Sequence, residues 1–84
     1  MMTMHEYRRL SELGDRIKAN LASKKEKDEY MKLLHKSGSI SQSQYDEYLN
    51  QQGTKQGDDL VGAALAVGAI FLIGYLIKQL GRND

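Results

Sequence analysis

The 84-residue chain contains no cysteine and no proline. Without cysteine there are no disulfides and no thiolate metal sites. The absence of proline suits a chain that is almost entirely helical, because proline disrupts helix interiors. The chain also has no large excess of positive or negative charge, since its 12 Lys and Arg residues are nearly balanced by 11 Asp and Glu residues, for a net charge of +1. Nucleic-acid binders usually carry a strongly basic surface. We therefore expect an all-α protein with no nucleic-acid partner.

The sequence also lacks the motifs that carry catalysis. Its two histidines, His5 and His35, lie thirty positions apart and show no metal-ligand spacing. A phosphate-binding glycine loop, a nucleophile elbow and a pair of carboxylates within an apolar segment are all missing. We therefore expect no enzyme activity, no cofactor, no metal site and no small-molecule substrate.

What the chain does have is one long apolar run, Leu60–Ile77, with eighteen residues and no charge, amide or proline. At 1.5 Å per residue this run is about 27 Å long as a helix, close to the ~30 Å hydrocarbon core of a bilayer. The remaining residues are too polar and too few to enclose a helix that is apolar on every side. The run predicts a transmembrane helix over residues 59–80, with the lipid bilayer as partner. The alternative is a helix buried inside a protein assembly.

Charged residues flank the run. Asp58 and Asp59 precede it and are placed to cap its first turn. Lys78 and Arg82 follow it, Gly81 is placed to end the helix, and a short tail of residues 81–84 remains.

Two signals bear on orientation. The basic end of the run favours a cytoplasmic C-terminus. Export of the highly charged N-terminal region is harder, however, because no apolar signal segment precedes it. We therefore expect a single-pass membrane protein with its N-terminal head in the cytoplasm. Tyr75, close to Lys78, fits an anchor at the membrane interface.

Small residues lie on two faces of the predicted span. One face carries Gly62, Ala66 and Ala69, and Ala64 with Gly68 lies on nearly the opposite side. Such surfaces let helices approach closely in lipid, although Gly and Ala are common in spans for other reasons. Two small faces favour a homo-oligomer or a larger membrane complex.

The N-terminal segment, residues 4–22, reads as an amphipathic helix. Its apolar residues share a stripe about 120° wide: Tyr7, Leu10, Leu13, Ile17 and Leu21. Mixed charges on the polar face favour packing on another helix over binding at a membrane surface. Ser23 and Glu26 are placed to form a capping box that starts a second helix over residues 24–36. One continuous helix over residues 4–36 is equally compatible with the sequence.

The next segment carries the signals of a helical hairpin. Gly38 is placed to end the second helix in a left-handed conformation. Ser41 and Gln44 have the spacing of a capping box, and Ile40 and Tyr45 that of a hydrophobic staple. A third helix over residues 42–52 is therefore predicted, antiparallel to the second.

This hairpin resembles a known family. The segment LLHKSGSISQSQYDEYL, with its paired leucines followed by Gly38, Ile40, Ser41 and Tyr45, is similar to the SHOCT (short C-terminal domain) hairpin over about residues 30–50. The resemblance implies a small interaction or oligomerisation module that is often found near membrane segments, and it implies no catalysis.

The predicted architecture is thus a helical head over residues 1–52, a polar linker over residues 53–58 on which the head pivots, and one C-terminal transmembrane helix. We expect a non-enzymatic accessory or assembly subunit of a membrane complex. An alternative is a structural subunit of a virus particle or filament, because residues 57–82 are similar in layout to filamentous-phage coat proteins. A second alternative is a holin-like or toxin-like pore former, although a span without polar residues lines an aqueous pore poorly.

Overall fold

The structure of the chain is a computed structural model that describes the backbone of residues 3–81 and the side chains of residues 3–74. Every regular element in that part of the chain is a helix: α1 (Met4–Lys18), α2 (Lys24–Ser37), α3 (Gln42–Asn50) and α4 (Lys55–Gly81). The fold is all-α, as predicted. The roles predicted for the side chains of Tyr75, Lys78 and Arg82 lie outside the described residues.

α1 and α2 are separate helices, which settles the alternative that the sequence left open. The chain between them turns at Asn20, whose φ of 62° is left-handed and ends the helical path. Ser23 then starts α2 through a capping box with Glu26, in which each side chain accepts a hydrogen bond from the other's backbone N–H. The predicted extension of α1 to residue 22 is wrong for this reason. Leu21 consequently falls in the turn, where it is 65% exposed and lies off the buried stripe.

Ion pairs hold α1 and α2 together as antiparallel neighbours. The pairs are Glu6–Lys36 at 2.5 Å, Arg9–Glu29 at 2.8 Å and Arg16–Glu26 at 2.6 Å. Positions rise along α1 as they fall along α2, which defines the antiparallel direction. The guanidinium of Arg9 binds both carboxylate oxygens of Glu29, a geometry that fixes the relative position of the two helices better than a single contact.

The hairpin between α2 and α3 has a tight turn. Gly38 ends α2 with a left-handed φ of 81°, and the Ser41–Gln44 capping box starts α3. Ile40 is buried, with 5% of its surface exposed. The ring of Tyr45 stacks on His35 with 4.7 Å between ring centroids. α3 ends at Asn50, two residues before the predicted end at residue 52, and Gln51 adopts the helix-ending conformation.

α4 begins earlier than predicted because Thr54 caps it. The Thr54 side-chain oxygen accepts a hydrogen bond from the N–H of Gly57, and its carbonyl accepts one from the N–H of Asp58, both at 3.1 Å. The helix therefore starts at Lys55, not at residue 59. Asp58 lies within the first helical turn, where its charge favours the positive end of the helix dipole, but the cap is Thr54. The predicted linker over residues 53–58 shrinks to residues 51–54.

The head and α4 pack into a single core. α4 contacts α1, α2 and α3. The buried residues come from all four helices and the α2–α3 turn: Leu10, Leu13, Tyr30, Met31, Leu34, Ile40, Tyr48, Val61 and Ala64. The expectation of a head that pivots on a flexible linker is therefore wrong for this structure, because the head is docked along α4.

Candidate functional site

The apolar part of α4 is the most distinctive feature of the molecule. Lys55–Gly74 contains an eighteen-residue window with a mean hydropathy of 1.7, and 22% of this window is buried. By length and composition, α4 can cross a membrane. A core helix of a soluble protein can have the same length and composition, but most of its residues are buried.

One face of α4 packs against the head. Its buried residues are Gly57, Val61, Ala64 and Gly68, spaced by four, three and four positions, so they lie along one side of the helix. Val61 is 1% exposed and Ala64 is 5% exposed. The predicted small pair Ala64 and Gly68 is therefore used within the chain, against the head.

The closest approach between α4 and the head is at Gly68. A Cβ at this position would overlap the hydroxyl of Tyr30 and would come within 3.4 Å of Leu34 Cδ2. Gly14 of α1 meets the same tyrosine ring, and a Cβ there would lie 3.5 Å from Tyr30 Cε1. Burial of Tyr30 raises the pKa of its hydroxyl. The ring of Tyr30 thus lies between glycines of two other helices, but only Gly68 is so close that a Cβ would not fit.

A second aromatic contact lies farther along α4. The rings of Tyr7 and Phe71 stack with 5.5 Å between centroids and an angle of 26°. Near the start of α4, a Cβ at Gly57 would overlap the carbonyl oxygen of Gln51, so the turn into α4 requires glycine at this position. The head therefore touches α4 from Gly57 to Phe71.

We call the head surface that receives α4 the docking groove. It consists of Tyr7, Tyr30, Met31, Leu34 and Ile40. Tyr7, Tyr30 and Leu34 contact α4 as described above. Met31 and Ile40 line a cavity of about 140 Å³, whose other walls are Gln44 and Glu47 of α3 and an apolar stretch of α4: Leu60, Ala63, Ala64 and Val67. The groove is apolar, and the ion pairs of α1 and α2 lie outside it on partly exposed side chains.

The opposite side of α4, which we call the open face, consists of Gly62, Ala66, Ile70 and Ile73. All four are exposed; Ile70 is 71% exposed and Ile73 is 57% exposed. A Cβ at Gly62 would have no neighbour within 4 Å. The predicted small residues Gly62 and Ala66 thus lie on this face.

The remaining predicted residues fall at different places in the fold. Ala69, grouped with Gly62 and Ala66 in the prediction, is half-buried and lines a small cavity with Gly14 and Tyr30. On α1, Leu10 and Leu13 are fully buried, while Tyr7 and Ile17 are half-buried against the core. The α1 stripe that the sequence predicted is thus present apart from Leu21.

A hydrogen-bond network joins α2 to α3, and it was not predicted from the sequence. The Tyr48 hydroxyl donates a hydrogen bond to Asp28, and Gln52 Nε2 donates to the same carboxylate oxygen at 2.8 Å. Burial and the neighbouring Asp28 carboxylate raise the pKa of Tyr48. The partners are twenty and twenty-four positions apart, so no local pattern points to the pairing.

The described residues place no group of three or more His, Asp or Glu side chains where they would hold a metal ion. What they do bring together is an apolar groove filled by an apolar helix, an arrangement suited to binding helices. Comparisons with protein-family models, with curated proteins and with solved structures each gave no match to this chain.

Proposed function

We propose that this protein is a small non-enzymatic single-pass membrane protein that acts as an accessory or assembly subunit. In this function α4 anchors the chain in the bilayer, and the helical head binds partner chains or a second copy. One observation carries the proposal: α4 contains an eighteen-residue window with a mean hydropathy of 1.7, of which the head buries only 22%.

The exposed isoleucines support the proposal that α4 lies in lipid. Ile70 and Ile73 are 71% and 57% exposed on the open face. Burial of a large aliphatic side chain contributes roughly 1.5–3 kcal/mol. In water this contribution is lost for both residues, whereas in the hydrocarbon core of a bilayer it is gained. Residues 60–74 also carry no charged side chain that would oppose insertion.

The composition and the hairpin of the rest of the chain support a head that binds other proteins. Its Lys and Arg residues are nearly balanced by Asp and Glu, which favours a protein partner over a nucleic acid. The turn through Gly38 and Ser41 has the geometry of a compact helical hairpin. We place this head on the cytoplasmic side of the membrane. A single exposed cysteine, Lys25→Cys, in the cysteine-free chain tests the placement through its accessibility to an impermeant maleimide in intact cells.

The experiment that tests membrane anchoring uses two matched charge variants of the full chain. Ile70→Lys/Ile73→Lys adds two charges to the open face, whereas Gln42→Lys/Ser43→Lys adds two charges to the exposed side of α3. Each lysine near mid-membrane costs about 2.5–3.5 kcal/mol for insertion. We expect the wild type and the α3 variant to resist carbonate extraction, and the open-face variant to be released. Equal release of all three proteins would refute the membrane anchor.

A second candidate function is that of a structural, coat-like subunit of a particle or filament. The observation that favours it is the open face, where Gly62 and Ala66 leave room for a helix of another copy to approach closely. Electron microscopy of detergent-free preparations distinguishes the two functions, because a coat-like subunit forms regular filaments or rings. Purification in mild detergent with a stoichiometric second chain favours the accessory subunit.

A further inference from the structure

The depth of the contact between the head and α4 conflicts with insertion of α4. The apolar run begins at Leu60, yet the head still contacts α4 at Phe71, eleven residues later. At 1.5 Å per residue, this contact lies about 16 Å past the start of the run. In an inserted helix that is about half-way through the ~30 Å hydrocarbon core.

Charged residues of α1 and α2 accompany the part of the head that makes this deep contact. Tyr7, which stacks on Phe71, is adjacent in sequence to Glu6 and Arg8. Glu6 in turn binds Lys36 of α2 at 2.5 Å, and the Lys36 side chain is 53% exposed. A head that stayed docked while α4 crossed the membrane would carry these groups into hydrocarbon, where ionised side chains are costly.

We infer that the head is an intramolecular cover for one face of α4, and that the docked state and the membrane-inserted state exclude each other. This inference rests on the proposed function of α4 as a membrane anchor. In the docked state the groove shields Val61, Ala64 and Gly68 from water. Insertion requires the groove to release α4, which frees the head to move to the membrane surface.

The position of the contacts along α4 determines where a tether blocks this release. Lys27 of α2 binds Asp58 at 3.2 Å, in the first turn of α4 and before the apolar run. A covalent link at this pair leaves the head at the level of the membrane surface. A link between positions 7 and 71 holds α1 against the middle of the span. Both tethers join the head to α4, one through α2 and one through α1, but they predict opposite outcomes.

The test uses these two pairs in the full chain, which has no cysteine of its own. Tyr7→Cys/Phe71→Cys and Lys27→Cys/Asp58→Cys are synthesised without membranes and cross-linked with a thiol-cleavable bis-maleimide. Vesicles of phosphatidylcholine with a minority of phosphatidylglycerol are then added, and insertion is scored as carbonate-resistant protein. Cleavage of the linker leaves the same chemical adducts on both cysteines and provides the control for the reagent.

We expect the 7–71 cross-linked chain to insert more than about tenfold less than the same chain after cleavage, because the tether carries charged side chains into the bilayer. The 27–58 cross-linked chain inserts as well before cleavage as after it. Equal insertion of the 7–71 chain before and after cleavage, or no intramolecular cross-link at 7–71, overturns the inference. If the wild type and every variant fail to insert, the proposed membrane anchor is itself refuted.

Discussion

Gly68 of α4 lies against the phenol ring of Tyr30 in α2 so closely that a Cβ at position 68 would overlap the tyrosine hydroxyl. Tyr30 is 2% exposed, and a Cβ at Gly14 of α1 would lie 3.5 Å from another atom of the same ring. The contact fixes which side of α4 faces the head. A nearly uniform apolar helix thereby acquires one specific docked orientation.

The first prediction compares Gly68→Leu with Gly62→Leu. Both substitutions make α4 equally more apolar, but position 68 faces Tyr30 and position 62 faces open space. Overpacking a close contact typically costs about 1–3 kcal/mol. In the Tyr7→Cys/Phe71→Cys background, we expect Gly68→Leu to reduce the yield of the intramolecular cross-link and Gly62→Leu to leave it unchanged. Equal yields would mean that the glycine contact does not determine docking.

The second prediction concerns the hydrogen bond between Tyr48 and Asp28. Tyr48 is 3% exposed and donates to a carboxylate, and hydrogen bonds to charged groups contribute roughly 1.5–3 kcal/mol. We expect Tyr48→Phe and Asp28→Ala each to lower the thermal stability of the head, measured by circular dichroism of the full chain in mild detergent. The double variant is expected to be less destabilised than the sum of the two single variants. Simple additivity would show that the two groups do not interact.

The third prediction follows from the carboxylates that join α1 to α2. The hydrogen bond from Lys36 lowers the pKa of Glu6 from 4.5 to about 2. The Arg9 guanidinium likewise lowers the pKa of Glu29. Because these pKa values are lower in the folded chain, the unfolded chain binds protons first as the pH falls. The stability that these pairs contribute is present above the ordinary carboxyl pKa and is lost as the pH falls towards the folded-state value.

We therefore expect the melting temperature of the helical head to decrease steadily between pH 4.5 and about pH 2, the range defined by Glu6. Glu6→Gln is expected to flatten this dependence. Glu47→Gln removes the same charge from an exposed position on α3 and serves as the control. A melting temperature that stays constant over this range, or an equal flattening by both variants, would contradict the role of the α1–α2 ion pairs.

The sequence predicted the elements that local signals define. Ser23, Gly38 and Ser41 set helix ends through hydrogen bonds to residues a few positions away, so short-range patterns were sufficient to place them. The start of α4 was placed wrongly because two aspartates looked like the cap, whereas Thr54 performs this function.

No short-range sequence pattern predicted that α4 docks on the head. Tyr30 and Gly68 are far apart in the sequence, and Tyr7 and Phe71 still farther. A glycine within an apolar run looks the same whether it faces another span or the chain's own head. The sequence therefore predicted that Gly68 packs against another helix, but not that the helix is α2 of the same chain.

The last prediction tests whether the head needs α4 to complete its core. Val61 and Ala64 belong to the same buried cluster as Leu10, Leu13 and Tyr30. Removal of α4 exposes the docking groove to water, at a cost of roughly 1.5–3 kcal/mol for each large apolar side chain uncovered. A fragment of residues 1–54 keeps the hairpin turn and the capping boxes that start α1, α2 and α3: Thr3–Glu6, Ser23–Glu26 and Ser41–Gln44.

We therefore expect this fragment to be soluble and helical by circular dichroism, but to melt at a lower temperature than the head of the docked full chain, measured without membranes. We also expect it to self-associate in analytical ultracentrifugation, because paired grooves cover each other. Tyr30→Gln places a polar group in the groove and should return the fragment to a monomer. Tyr45 stacks on His35 and is not one of the groove residues, so Tyr45→Gln should not. The prediction is contradicted if the wild-type fragment is monomeric and melts at the same temperature as the head of the full chain. The groove would then be stable when empty, and α4 would not contribute to the core of the head.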